Sequence, residues 1–111
     1  MAADAPYPYR GPEDHREVIA AALREVVDPE VAMSIVDVGL VYDVCVEESD
    51  VVVTMTMTSA ACPVTDAILD DVQYELEQAL PAPMRVEVRL VWAPAWAPSR
   101  MSDRARAVMG W

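Results

Sequence analysis

Lysine, asparagine and phenylalanine are absent from this 111-residue sequence, and cysteine, glycine and histidine are scarce. All 8 basic residues are therefore arginine, against 19 Asp and Glu, which gives a formal net charge of -11. This excess argues against a nucleic-acid backbone or an anionic membrane surface as partner, because both would repel the chain at long range. With 3 glycines and 1 histidine, neither a phosphate-cradling glycine loop nor a Ser-His-Asp triad can be built.

Long apolar runs are also missing. No run approaches the roughly 20 residues that cross a bilayer, and the N-terminus lacks the basic and apolar regions of a signal peptide. We therefore expect a cytoplasmic protein with no membrane segment. Only Cys45, Cys62 and His15 could act as Cys or His metal ligands, which excludes a self-contained zinc finger. Apolar residues still make up 54% of the chain, enough for the core of one domain.

The N-terminal part of the sequence predicts a flexible segment followed by a helix. Residues 1–12 are rich in Tyr and Pro and are expected to form a floppy lead-in to a single domain over 13–111. From Glu13 onward, one stripe at helical spacing contains Val18, Ile19, Ala22, Leu23 and Val26. Asp28 precedes a proline, which disfavours helical backbone and so ends this helix.

Three later segments alternate between apolar and polar residues and predict strands. Segments 40–47 and 51–58 flank a short polar turn, which predicts an antiparallel hairpin, and a third strand is expected over 84–92. Between the hairpin and the third strand, a second helix is predicted by the stripe Ile68, Leu69, Val72, Leu76, Ala79 and Leu80. A short terminal helix capped by Ser102 is expected near the C-terminus.

The order α-β-β-α-β predicts an α+β fold. We expect a two-layer sandwich in which two helices cover one face of a small mixed three-stranded sheet, with the short terminal helix added. Both helices and two of the strands should contribute to one core, with Val18, Leu23, Val53, Met55, Ile68, Val72, Val88 and Leu90 as members.

Cys62 is the strongest candidate for chemistry. It precedes Pro63, a residue suited to the first helical position, and is therefore expected at the helix N-cap. The helix dipole and free N–H groups would stabilise a thiolate there, which could be a nucleophile, a metal ligand or a redox switch. The negative charge of Asp66 would disfavour that thiolate. The alternative is that Cys62 is buried as a small apolar residue. Cys45 falls in mid-strand, where a structural role is expected. We expect no disulfide between Cys45 and Cys62.

Other polar residues near these motifs allow two readings each. Thr58 and Ser59 could hydrogen-bond a thiolate or a bound anion, or could simply cap the loop. Asp28 and Glu30 could supply oxygen ligands, or the proline between them could serve only to break the helix. Spacing alone does not choose between these alternatives.

Five short motifs follow one another over most of the chain: Asp28-Pro-Glu30, Ser34-Ile-Val-Asp37-Val-Gly39-Leu-Val-Tyr42, Met55-Thr-Met-Thr58-Ser-Ala-Ala-Cys62-Pro63, Trp92-Ala-Pro-Ala-Trp96 and Met101-Ser-Asp-Arg. Together, and in this order, they resemble the SufT/PaaD-like family of iron–sulfur cluster maturation factors. The resemblance implies a two-layer α+β fold and a role in assembling or delivering iron–sulfur clusters. PaaD carries a further cysteine-rich C-terminal segment, and no cysteine follows Cys62 here, which favours the short SufT-like form.

The resemblance also implies a functional cysteine, which falls on Cys62, with Asp28, Glu30, Thr58 and Ser59 around the same pocket. Cys62 would bind an iron ion or a transient iron–sulfur cluster, and no nucleotide is expected. Clusters generally need about four thiolate ligands, so ligands would be shared with a second subunit or a partner. A homodimer in which two cysteines converge is the simplest arrangement, and cluster-assembly scaffolds or client iron–sulfur proteins are the implied partners.

The expected function is therefore an accessory maturation factor rather than a catalyst. Three alternatives remain: a PaaD-like accessory protein of phenylacetyl-coenzyme A epoxidation, a sulfur-transfer enzyme with Cys62 as nucleophile, and a binding adaptor whose cysteine only stabilises its loop. No histidine lies near Cys62 in the sequence to act as the base of an enzyme, although folding could bring His15 close.

Overall fold

Most helices and strands follow the periodicity of the apolar residues in the computed structural model, which describes residues 7–29, 32–58, 65–80 and 84–110. The elements are strand β1 (Tyr9–Arg10), helix α1 (Glu13–Arg24), strands β2 (Val27–Asp28) and β3 (Met33–Ser34), helix α2 (Ile35–Val38), strands β4 (Val41–Glu47) and β5 (Asp50–Met55), helix α3 (Thr65–Ala79), strand β6 (Arg85–Leu90) and helix α4 (Asp103–Met109), with a 3-10 helix at Pro98–Arg100. None of the helices within the described ranges is long and apolar enough to span a bilayer.

The main sheet is mixed and has the strand order β1-β4-β5-β6. β4 and β5 form the predicted antiparallel hairpin, with Glu47 opposite Asp50 across the turn. β5 and β6 are parallel, with Val53 opposite Val88, because α3 carries the chain back between them. β1 is parallel to β4 at the other edge, while β2 and β3 form a separate antiparallel pair.

The core lies between the sheet and the two long helices. α1 packs against α3, and α3 packs against β6. The predicted core residues Leu23, Val53, Met55, Ile68 and Val72 are buried, while Val88 and Leu90 are partly buried against them. The two-layer α+β architecture is therefore confirmed.

Two predictions about this architecture are wrong. Val18 is 37% exposed, since it lies at the margin of a stripe whose buried members are Ile19, Ala22 and Leu23. The main sheet has four strands rather than three, because Tyr9–Arg10, inside the predicted lead-in, pair with β4. Tyr7 is buried as well, and this burial raises the pKa of its phenol.

A β-bulge interrupts the alternation at the start of β4. The register with β5 shifts between Val41 and Asp43, so Val41 is buried and Tyr42 is not. The Tyr42 hydroxyl donates to the carbonyl oxygen of Pro94 (2.7 Å), and the guanidinium of Arg100 lies 4.4 Å from the ring centroid. The chain beyond β6 therefore returns to the start of β4.

Both short helices have the caps that their sequences favour. The Ser34 hydroxyl accepts a hydrogen bond from the N–H of Val36 (3.1 Å) at the start of α2. Gly39 ends α2 in the left-handed conformation, at φ 84. The Ser102 hydroxyl accepts from the N–H of Ala105 (3.1 Å), so the predicted cap of the terminal helix is confirmed.

Candidate functional site

The ends of β5 and β6 and the start of β4 meet at one end of the main sheet. The N–H of Thr56 donates to the carbonyl oxygen of Leu40 (2.8 Å), and the N–H of Val91 donates to that of Met55 (2.9 Å). The next residue, Trp92, has an exposed indole ring. From this end the chain continues out of β5 toward α3, so the predicted functional loop leaves the sheet here.

The central residues of that loop lie outside the described part of the chain. Thr58 is the last described residue before the loop, and Thr65 begins α3 after it. The helix cap predicted for the loop therefore stays a prediction. The predicted site residues outside the described ranges are Glu30, Ser59 and Cys62.

The two remaining pocket residues belong to different parts of the fold. Thr58 follows β5 and is partly buried. Asp28 lies in β2, where its residue is 1% exposed, and its carbonyl oxygen accepts a hydrogen bond from the N–H of Ala32 (2.7 Å). The hydrogen bonds at the end of β5 run to Leu40 and Val91, whereas Asp28 is in the separate two-stranded sheet. A single pocket that contains both residues stays a prediction.

Thr56 is a polar residue at this end of the sheet that sequence reasoning did not single out. It is 1% exposed, and its hydroxyl makes no hydrogen bond to any residue in the described ranges. A buried hydroxyl of this kind costs roughly 1–3 kcal/mol. The alternating Thr54, Thr56 and Thr58 indicate a hydroxyl face, but nothing local in the sequence shows that the middle residue is buried.

The segment after β6 binds to α2. We call residues 91–102 the C-terminal strap. The indole Nε1 of Trp96 donates to the carbonyl oxygen of Val38 (2.8 Å). The N–H of Ser102 donates to the carbonyl oxygen of Asp37 (2.8 Å), and the Ser102 hydroxyl donates to Asp37 Oδ1 (3.1 Å). The motif around Asp37 therefore anchors the strap to α2.

Gly39 lies directly against the strap. A Cβ atom at this position would overlap the backbone carbonyl group of Arg100. The left-handed φ of 84 and this close approach both require glycine. The Gly39 part of the motif therefore has an architectural explanation.

Cys45 occupies the predicted mid-strand position. It is partly exposed in β4, opposite Arg10 of β1 and Val52 of β5. Arg10 forms an ion pair with Asp43 (2.8 Å), and this hydrogen bond raises the pKa of the Arg10 guanidinium. Among the described residues, no group of three or more His, Cys, Asp or Glu side chains could hold a metal ion.

The two cysteines should differ in reactivity. We expect the pKa of the Cys62 thiol to lie below the ordinary value of about 8.5, because a helix N-terminus stabilises the thiolate. Alkylation rates measured against pH in Cys45→Ser and Cys62→Ser variants check this. Cys45 is partly exposed, and the pH midpoint of each rate profile separates a lowered thiol pKa from a difference in access. Equal rates with an unshifted midpoint for Cys62 would contradict the prediction.

Comparison with known proteins finds relatives over most of the chain. Residues 16–90 match the family described as iron–sulfur cluster assembly protein. The chain is 43% identical over 96 residues to the Fe–S protein maturation auxiliary factor YitW of Bacillus subtilis (strain 168), covering 86% of this chain and 93% of that protein. It is 41% identical over 86 residues to the Fe–S protein maturation auxiliary factor SufT of Staphylococcus aureus (strain USA300), covering 77% of this chain and 97% of that protein.

A solved structure has the same architecture. The crystal structure of a domain of unknown function from Bacillus anthracis superimposes with a TM-score of 0.82 at 41% sequence identity. The superposition covers 88% of this chain and 93% of that one. The similarity in sequence therefore extends to the arrangement of the helices and the sheet.

Proposed function

Because this chain belongs to the family of iron–sulfur cluster assembly proteins, we propose that it is a maturation factor that delivers iron–sulfur clusters to client proteins through Cys62. The observation that carries the proposal is the 43% identity to a protein named as an Fe–S protein maturation auxiliary factor. That similarity covers 93% of the relative, so it concerns the whole domain rather than a small shared module.

In this proposal the cluster is cargo. Cys62 supplies one thiolate to an iron atom, and the thiol loses its proton when it binds. Clusters generally need about four thiolate ligands, and the chain has only 2 cysteines, one of them in the middle of β4. The remaining ligands therefore come from a second subunit or a partner protein. Transfer to the client replaces the Cys62 thiolate with a ligand of the client.

The described flanks of the loop support this role. Met55 at the end of β5 and Ile68 in the first turn of α3 are fully buried. Hydrogen bonds from Thr56 and to Met55 fasten the end of β5 to its two neighbouring segments. When the two elements that flank a loop are packed, a side chain in that loop loses less conformational freedom on binding than it would between mobile elements.

We assign the chain an accessory role rather than a catalytic one, acting in the cytoplasm. Both relatives, YitW and SufT, are named as auxiliary factors. Cluster-assembly scaffolds and client iron–sulfur proteins are the proposed partners. Neither sulfur transfer nor phenylacetyl-coenzyme A epoxidation is favoured by the relatives reported above.

Complementation tests the proposal. In Bacillus subtilis cells that lack YitW, we expect the wild-type chain to restore the activity of a cluster-dependent enzyme, with a cluster-free enzyme of the same cells as control. Cys45→Ser should restore it equally, since Cys45 has no part in the proposed transfer. If the folded, expressed chain leaves the cluster-dependent activity at the empty-vector level, the proposed function is wrong.

A further inference from the structure

The outer edge of β6 is free of any partner strand in the part of the chain that the structure describes. The N–H groups of Arg85 and Val91 donate to carbonyl oxygens on the β5 side, at 2.7 and 2.9 Å. In a parallel ladder the intervening even-numbered residues direct their N–H and C=O groups the other way. The residues that face the free edge are therefore Val86, Val88 and Leu90. Such an edge is a template for another strand.

One group on this edge already has a partner. The side-chain Nε2 of Gln73 in α3 donates to the carbonyl oxygen of Val86 (3.2 Å). The same Nε2 also donates to Glu77 (3.0 Å), which orients the amide. The Val86 carbonyl oxygen has two lone pairs, so a partner strand that bonds to it either shares it with this side chain or displaces it.

The side chains of β6 divide into a charged face and an apolar face. Arg85, Glu87 and Arg89 are exposed, while the alternate residues are buried or partly buried. Arg89 donates to Glu87 (2.6 Å), and this hydrogen bond lowers the pKa of Glu87. In a chain of net charge -11, this strand has more positive than negative side chains. β6 itself therefore adds no net negative charge to a contact between two copies.

We propose that β6 pairs in antiparallel fashion with β6 of a second copy, about a two-fold axis at Val88. In this register the edge-facing groups of the two strands meet each other. Glu87 of each chain faces Arg89 of the other on the charged face. Val88 faces its own copy on the apolar face, and Val86 faces Leu90. Opposite charges and apolar side chains in directly facing positions stabilise a strand pair.

Neighbouring registers do not satisfy the same conditions. An axis at Glu87 would place Glu87 against Glu87 and Arg85 against Arg89, and like charges in facing positions destabilise. An axis at Val86 would pair only Arg85–Glu87 within the strand, which begins at Arg85, whereas an axis at Val88 pairs Val86–Leu90. A two-fold axis between two residues would bring the edge-facing N–H and C=O groups of one strand opposite groups of the other strand that already bond to β5. It would also place charged side chains opposite apolar ones.

This dimer goes beyond the proposed function and does not depend on it. Met55 lies opposite Leu90, so each β5 ends beside the end of its own β6. The two β5 ends, from which each chain continues toward Cys62, therefore point in opposite directions. The described ends of the two β5 strands are thus kept apart by the dimer.

Charge reversal combined with mixing tests the proposal. Analytical ultracentrifugation at about 0.15 M salt should show a reversible dimer of the wild type. Glu87→Arg and Arg89→Glu each create two like-charge pairs across the axis, and each should raise the dissociation constant roughly tenfold or more. An equimolar mixture of the two variants should recover the dimer, because their charges are then opposite. The double variant should recover it for the same reason.

Arg85→Glu is the matched control. In the proposed register Arg85 faces uncharged Val91, so this variant should keep the wild-type dissociation constant within about twofold. The side chains of Glu87 and Arg89 are 56% and 59% exposed, so the variants should fold, and circular dichroism checks this. A monomeric wild type, a mixture that does not recover the dimer, or a loss of dimer with Arg85→Glu equal to that of Glu87→Arg would each overturn the proposal.

Discussion

Cys62→Ser is expected to abolish the maturation of client iron–sulfur proteins while the chain melts at the wild-type temperature. Serine caps a helix well, so the loop can keep its conformation without the thiol. A hydroxyl is not deprotonated near neutral pH, however, and cannot replace a thiolate as a ligand of iron. The measurement pairs thermal denaturation of the purified variant with the activity of a cluster-dependent enzyme in complemented cells.

A core variant separates loss of the thiol from loss of the fold. Leu76 is fully buried, whereas Leu69 of the same predicted stripe is only partly buried. Leu76→Ala should lower the free energy of unfolding by roughly 2–5 kcal/mol and impair maturation through unfolding. Should Cys62→Ser prove stable and as active as the wild type, Cys62 is not the ligand, and the adaptor alternative becomes the better explanation.

Gly39→Ala should lower the free energy of unfolding by roughly 2–5 kcal/mol. Two costs add at this position. The left-handed backbone at φ 84 strains any residue with a side chain, and the new Cβ atom would collide with the backbone of Arg100. The strap would have to move away from α2 to make room. Denaturant titration of the variant measures the loss.

Gly110→Ala measures the cost of the left-handed backbone without a steric clash. Gly110 also has a positive φ, of 78, but a Cβ atom there would meet nothing within 4 Å. This variant should therefore lose only about 1 kcal/mol. An equal loss in the two variants would mean that the contact between Gly39 and the strap contributes nothing to stability.

The elements that could be predicted are those whose signals are local. Alternation over β4 and β5, the helical stripe of α3 and the cap at Ser102 all act within a few residues. β1 escaped prediction because two residues carry no periodicity, and its pairing partner, Val44–Cys45, is remote in sequence. Val18 was assigned to the core because the stripe does not show where its margin lies.

The site was predictable to a smaller extent. The motif around Cys62 indicates a functional loop through resemblance, and local periodicity places that loop between a strand and a helix. The burial of Thr56 could not be predicted, since alternation along a strand does not show which residues of a polar face are buried. The contact between Gly39 and Arg100 is likewise invisible in the sequence, because a glycine in a turn has the same local signature whether or not another segment crosses it.

The C-terminal strap has a consequence for the order in which a newly made chain completes its structure. Ser102 is separated by 65 residues from its partner Asp37. At a synthesis rate of about 5–20 residues per second, α2 is made roughly 3–13 s before this partner. During translation the carbonyl groups of Asp37 and Val38 therefore lack their hydrogen-bond donors until Ser102 and Trp96 have been made, 65 and 58 residues later. A premature stop codon after β6 would leave every strand of the main sheet encoded. The carbonyl groups of Asp37 and Val38 would then lack the hydrogen bonds that the strap donates.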